Sequence, residues 1–325
     1  IYLKSKKLGI TMRQQQGIAL ITILMMVALA TILAATIAKR QSQTADNTAY
    51  LMRQDQSLLY TKSAEAFFSE ILRQDKENAG DIDHLQEIWA QPMPAFPVED
   101  GYISGRLKDE SGKFNLNNLV KADGTVNPDA QAWFERLLVR VGLPAEQSQA
   151  VIDWQDPDDL TIGAMGAESS YYQGLNQPHL TPNTRFFSIE ELKQVRGFEG
   201  KKYQLIAPYV SALPAETKIN INTAPALVLA SMDEKLDLNA VTDALQRKQS
   251  NMEYFNVTGD LWGLEPFDQI SATNKAQVNP LLDIKSDFFK AEIEVRLSER
   301  KRQFTTYFKR DENQIYVYFR SLAPF

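Results

Sequence analysis

Residues 18–38 read IALITILMMVALATILAATIA, 21 positions without a charge, interrupted only by Thr22, Thr31 and Thr36. About 20 apolar residues are needed to carry a helix across a hydrocarbon core of ~30 Å. No turn follows. From 18 to 79 the chain has 62 residues without one glycine or proline, and Gly80 is the first breaker. A continuous helix of that length would extend ~90 Å. Its second half is predicted to be amphipathic, with Ala45, Ala49, Met52, Leu59, Phe67 and Ile71 near one stripe. The helix is therefore apolar all round at first and one-sided later. Such a stem can pack beside copies of itself and against its own globular head.

The chain of 325 residues carries 35 Lys and Arg against 41 Asp and Glu. Lys4, Lys6, Lys7 and Arg13 precede the apolar run, and Lys39 and Arg40 follow it. The heavier basic side is predicted to stay in the cytoplasm, with the bulk of the chain on the other side of a single membrane span. Without the first 17 residues, 31 basic groups face 41 acidic ones. So acidic a body is a poor partner for nucleic acid. There is no cysteine and only two histidines, His84 and His179. That excludes disulfides, thiolate metal sites and a cysteine nucleophile, and leaves little for imidazole chemistry. A plain anchor fits the length of the run. A cleaved secretory signal has a shorter apolar core, and Ala34-Ala35 is an ambiguous site for it. The junction itself, Gln16-Gly17 followed by Ile18, resembles a type IV prepilin or pseudopilin leader. That resemblance implies cleavage by a prepilin peptidase after Gly17, leaving Ile18 as the first mature residue. Met12 is an alternative initiator, giving the short leader MRQQQG.

Beyond Gly80, Pro92, Pro94 and Pro97 predict an extended connector. Residues 102–104 and 113–116 are predicted as two short strands around a turn at 109–112. At the far end, Ala291, Ile293, Val295 and Leu297 alternate with Glu292, Glu294 and Arg296. FTTYF (304–308) and IYVYF (315–319) add two more strands, with turns at 299–302 and 309–313, as in an antiparallel meander with one wet face. Between these β regions the pattern is helical. Segments 131–141, 146–153, 188–196 and 236–250 are predicted helices, and 222–225 opens another. Ser188 and Glu191 form a capping box.

In that order, the leader, the stem, GKFNLNNLV, DWQDPDD with GAESSYY, SIEELKQVRGF and KININTAPALVL resemble the K-type minor pseudopilins of type II secretion. The resemblance covers nearly the whole chain. It implies an α+β, pilin-like fold: a long N-terminal helix packed on a small antiparallel sheet, with a large α-helical domain inserted in the sheet region. The expected division is a leader at 1–17, a membrane helix at 18–38, its periplasmic continuation at 39–80, pilin-like segments at 81–120 and 284–325, and the insertion at 121–283. The family is similar throughout in being structural rather than enzymatic. It implies a place at the tip of a periplasmic pseudopilus in the inner membrane. The partners implied are the I- and J-type minor pseudopilins, the other pseudopilins and the inner-membrane secretion platform. Most pilins carry glutamate at the fifth mature residue; here that residue is Thr22, a departure typical of the K type and suited to a subunit with nothing above it.

The densest acidic run is Asp153-Trp154-Gln155-Asp156-Pro157-Asp158-Asp159, with Gly166-Ala167-Glu168 ten residues on. Read by its residues, it is either a solvated loop capping a helix or a site for a hard, oxygen-seeking cation. The resemblance implies calcium, with Asp156, Asp158, Asp159 and Glu168 as ligands. K-type relatives often show Glu-Asp after Gly-Ala, where this chain has Glu168-Ser169. No phosphate loop, dinucleotide fingerprint, nucleophile elbow or H-E-x-x-H occurs, so no enzyme is expected. The alternative from another class is a membrane-tethered DNA-binding protein, because SIEELKQVRGFEG and NINTAPALVL also resemble helix-hairpin-helix segments. There, however, Gly197-Phe198-Glu199-Gly200 spreads the glycines and adds a carboxylate where phosphate would approach.

Overall fold

The computed structural model describes residues 16–312 and 314–322. The expected leader and the Met12 start fall on 1–15, outside the described residues, apart from Gln16 and Gly17. Helix α1 spans Gln16–Ala79, 64 residues, ending where Gly80 takes a φ of 78°. The chain divides after Leu59 into two compact units. In the first, every side chain from 18 to 38 is exposed, so the helix presents apolar surface on all sides. Among the described residues it is the one helix long and apolar enough to cross a membrane. Thr22, Thr31 and Thr36 donate to the carbonyls of Ala19, Val27 and Ile32 at 2.7–2.9 Å. Their hydroxyls are thus satisfied inside the helix.

In the second unit the strands are β1 (Met93–Val98), β2 (Gly101–Asp109), β3 (Phe114–Asn115), β4 (Val210–Ser211), β5 (Ile219–Asn220), β6 (Leu282–Asp283), β7 (Phe288–Leu297), β8 (Arg300–Asp311) and β9 (Gln314–Ser321). One antiparallel sheet runs in the order β1-β2-β7-β8-β9. Ala64, Phe68 and Leu72, four residues apart on α1, pack on its inner face against Ile103, Leu107, Phe289, Ile293 and Phe308. Gly105 makes this close: a Cβ there would lie 2.9 Å from the Phe68 ring. Glu65 is buried beside them and accepts hydrogen bonds from Thr306 Oγ1 at 2.7 Å and Arg320 Nε at 2.6 Å. In β7 Ala291, Ile293, Val295 and Leu297 are all buried as read, but Glu292 on the polar side is buried too, paired with Arg106 and Lys108.

The structure corrects four expectations. Of the stripe expected on the second half of α1, Ile71 packs half-buried against the sheet core, whereas Met52, Leu59 and Phe67 are exposed, and the sheet buries Ala64, Phe68 and Leu72 instead. The proline segment is a strand, β1, at the sheet edge, where missing N–H donors cost least. Phe114 and Asn115 do not pair with β2; β3 lies parallel to β4, because Phe114 stacks with Phe134 at 5.3 Å in the core of the insertion. The insertion therefore runs from 110 to 287, leaving the sheet after Asp109 and returning at its neighbour Phe289. Finally, 188–196 is a 3₁₀ segment, Ile189–Gln194, although the Ser188–Glu191 capping box is present as read.

The insertion contains α2 (Pro128–Arg140), α3 (Ser148–Asp153), α4 (Ser169–Gln173), α5 (Lys201–Ile206), α6 (Ala226–Ala230), α7 (Leu238–Ser250) and α8 (Ala272–Val278). Trp133, Phe134, Leu137, Ile152 and Phe198 belong to its own hydrophobic core, separate from that under the sheet.

Candidate metal centre

Helix α3 ends at Asp153, and the loop after it folds back along the helix. Asp153 Oδ1 accepts the Ile162 N–H at 3.0 Å, and Gln149 Oε1 accepts the Met165 N–H at 2.9 Å. Arg196 holds the far side, donating to the Gly166 carbonyl at 2.9 Å. Gly166 has no space for a side chain: a Cβ would lie 2.3 Å from Asp153 Oδ2 and 2.6 Å from the Ile162 carbonyl oxygen. The loop thereby delivers Glu168, just ahead of α4, to the end of α3. Asp156 lies one helical turn beyond Asp153 and turns the same way.

Carboxylate oxygens of Asp153, Asp156 and Glu168 lie within 4.8 Å of one another, and all three residues are buried. Asp156 Oδ1 and Glu168 Oε1 have no hydrogen-bond donor. Thr181 Oγ1 donates to Glu168 Oε2 at 3.3 Å. Burial, reinforced by the neighbouring carboxylates, pushes Asp156 and Glu168 up to about 7; burial is also the main cause that holds Asp153 at about 6. Among the described residues no lysine or arginine offsets any of the three. Orphaned carboxylate oxygens in a dry pocket are costly unless a cation or protons neutralise them. The donor set is all oxygen, which fits a hard cation and not a thiophilic one.

Of the residues read from sequence, Asp156 and Glu168 are in this cluster. Asp158 and Asp159 are exposed and outside it. Asp158 Oδ1 instead accepts the Leu160 N–H at 2.8 Å, and Asp159 Oδ1 takes a bond from Asn183 Nδ2 at 3.3 Å. Alternation along an extended loop put them together in sequence; the turn after Pro157 points them outward. The missed member is Asp153. The i, i+3 spacing to Asp156 was the available signal, masked by its role as helix terminus. Ser169 pairs with Thr181, Oγ to Oγ1, at 2.7 Å. The processing residues Gly17 and Ile18 lie within α1, one turn before Thr22. At the helix-hairpin-helix-like segment, the Gly197 N–H donates to Glu199 Oε1 at 3.1 Å. The chain thus supplies its own carboxylate where a DNA phosphate would sit, and no observation favours the DNA-binding reading.

The family described as type II secretion system (T2SS), protein K matches in two parts, over residues 112–215 and 219–285. The type II secretion system protein K of Aeromonas hydrophila is 30% identical over 328 residues, covering 95% of this chain and 97% of that protein. Its counterpart in Pseudomonas aeruginosa is 36% identical over 232 residues, covering 68% and 69%. Among solved structures, the fold is similar to a chain of the GspK-GspI-GspJ complex from the enterotoxigenic Escherichia coli Type 2 Secretion System. The TM-score is 0.76 at 22% identity, over 86% of this chain and 100% of that one.

Proposed function

The chain belongs to the type II secretion system protein K family, and from that premise we propose that it is a minor pseudopilin that caps the pseudopilus together with I- and J-type partners. The observation that carries this is the combination in α1. The first 21 residues after Gly17 are apolar and exposed on every side, and a later segment of the same helix seats Ala64, Phe68 and Leu72 on the sheet. A lipid-soluble end continuous with a head-packing end is what a filament subunit drawn out of a membrane needs. The role is one of assembly, without catalysis. The anchor sits in the inner membrane with the sheet and insertion in the periplasm. Cleavage after Gly17 leaves Ile18 at the mature N-terminus. The uncharged Thr22, bonded to its own helix, suits a terminal subunit: a carboxylate there would lie in lipid without a neighbouring amine.

The trio, whose Asp156 Oδ1 and Glu168 Oε1 have no donor, is proposed as a calcium site, held by Asp153, Asp156 and Glu168. Bound calcium supplies the positive charge these residues lack and fastens the 154–168 loop to α3.

Two measurements test the reading. Mass spectrometry of membrane-extracted protein is expected to give a mature N-terminus at Ile18; cleavage near Ala35 overturns the processing. Co-purification with the I- and J-type proteins of the same system is expected, and its absence from detergent-solubilised membranes overturns the assembly role.

A further inference from the structure

A second cluster of carboxylates lies where α1, the sheet and the returning end of the insertion meet. Asp75 comes from the last turns of α1, and Asp83 and Glu87 from the segment after it; their oxygens lie within 4.8 Å of one another. Arg310 of β8, only 3% exposed at its side chain, reaches Asp75 Oδ2 at 3.2 Å and Asp83 Oδ2 at 2.5 Å. The same guanidinium donates to the Ser286 carbonyl at 2.6 Å, and Asp83 Oδ2 accepts the Ser286 N–H at 2.6 Å. Ser286 stands two residues before β7, at the point of return.

Glu87 is 8% exposed. Its Oε2 accepts from Trp89 Nε1 at 2.6 Å and from the His84 N–H at 2.9 Å. Its Oε1 has no donor. Oxygens of Asp75 and Glu87 lie within 4.8 Å of one another, and two carboxylates brought together in this way can bond only if one of them holds a proton. Other charges do not remove the need. Lys76 is engaged with Asp81, and His84 Nε2 stands 3.9 Å from Glu87 Oε1, with burial lowering the affinity of the ring for a proton. From the end of β2, Asp109 accepts from Ser286 Oγ at 2.6 Å and adds negative charge, as does Asp287, while Lys285 faces Asp81. Three carboxylates thus face one guanidinium in a dry site, which leaves a net negative charge.

We propose that Asp75 and Glu87 share a bound proton at neutral pH, and that this proton makes the joint between stem helix, sheet and insertion a pH-sensitive clamp. Burial is the main cause that pushes Glu87 up to about 7 and Asp75 up to about 6, with Asp83 adding to both. A carboxyl whose folded affinity for a proton is raised contributes stability at low pH that is lost as pH rises through the folded value. The clamp is therefore tightest below about pH 4, weakens progressively as pH rises toward about 7, and has lost this contribution by about pH 8.

Glu87→Gln keeps a hydrogen-bond donor toward Asp75 with no proton to lose, and Asp75→Asn removes the repelling partner. Full-length protein in detergent, with saturating calcium, is to be melted from pH 5.5 to 8.5. The wild type should lose roughly 5 °C across that range; either variant should flatten the loss and match or exceed the wild type at pH 8.5. Difference infrared spectra at pH 6.5 should show a protonated-carboxyl band in the wild type that Glu87→Gln lacks. A pH dependence unchanged in both variants overturns the proposal, as does a wild type lacking that band. Variants that fail to fold at pH 5.5 overturn it too, because an amide replaces a protonated carboxyl there without loss.

Discussion

Among the described residues two trios of close carboxylates occur, Asp75/Asp83/Glu87 beneath the sheet, of which Asp75 is half-buried, and Asp153/Asp156/Glu168, all three buried, in the insertion. They are alike in spacing and differ in what neutralises them. The first receives Arg310 from a strand more than 220 residues away in sequence. Beside the second, the guanidinium of Arg196 is spent on the carbonyls of Ala164 and Gly166. Taking an ion from water costs several kcal/mol unless a partner repays it. One trio therefore has one cation from the chain to offset part of its charge, and the other has none among the described residues. The same residue types thus make a joint tied to one internal guanidinium in one place and, in the other, the cluster proposed above to take calcium.

Arg310→Leu should test that contrast most severely. It leaves Asp83 and Asp75 buried and unpaired, at an expected cost of about 3–5 kcal/mol in urea unfolding of the full chain. Arg196→Leu should cost far less. Equal losses would erase the distinction between the two trios.

Calcium comes next. At a hundred times its dissociation constant it should stabilise the protein by about 2.7 kcal/mol, an effect that Asp156→Asn abolishes. The response should depend on pH. Ion-free, Asp156 and Glu168 hold protons up to about 7, so the ion-free fold loses stability as pH rises through that value. Calcium must displace those protons. The calcium-induced rise in melting temperature should therefore be small at pH 5.5 and full at pH 8. A response equal at both, or none, would break the comparison on the side of the insertion.

Gly166→Ala places a methyl against Asp153 and the Ile162 backbone. It should cost about 1–3 kcal/mol and weaken the calcium response, which calorimetric melting with and without chelator would register. Smallest of all, Asp158→Ala should change stability by under about 0.5 kcal/mol and leave most of the calcium response in place. Loss of that response would return Asp158 to the ligand set.

What could be read in advance was whatever repeats locally. The absence of glycine and proline before Gly80 foretold one helix, and the alternation of Ala291, Ile293, Val295 and Leu297 foretold a strand with one buried face. Ser188 and Glu191 foretold their capping box three positions apart. Two of the three carboxylates of the candidate metal centre were legible for the same reason, since Asp156 and Glu168 stood in a conspicuous acidic loop. Asp153 was hidden because a helix-ending aspartate has an ordinary explanation. The proline strand was hidden because edge position, which excuses missing donors, is a property of the sheet.

By itself, then, the sequence determined the membrane-soluble helix, the β meander, the helical middle and the acidity of one loop. All of these follow from steric and hydrophobic preferences acting over a few residues. Which stripe of α1 is buried was decided by the sheet that covers it. Whether Asp158 or Asp153 joins Asp156 was decided by a turn, and whether a carboxylate trio has its own cation was decided by where Arg310 lands. Burial and charge compensation depend on groups brought together across hundreds of residues, and only the closed tertiary structure sets those distances.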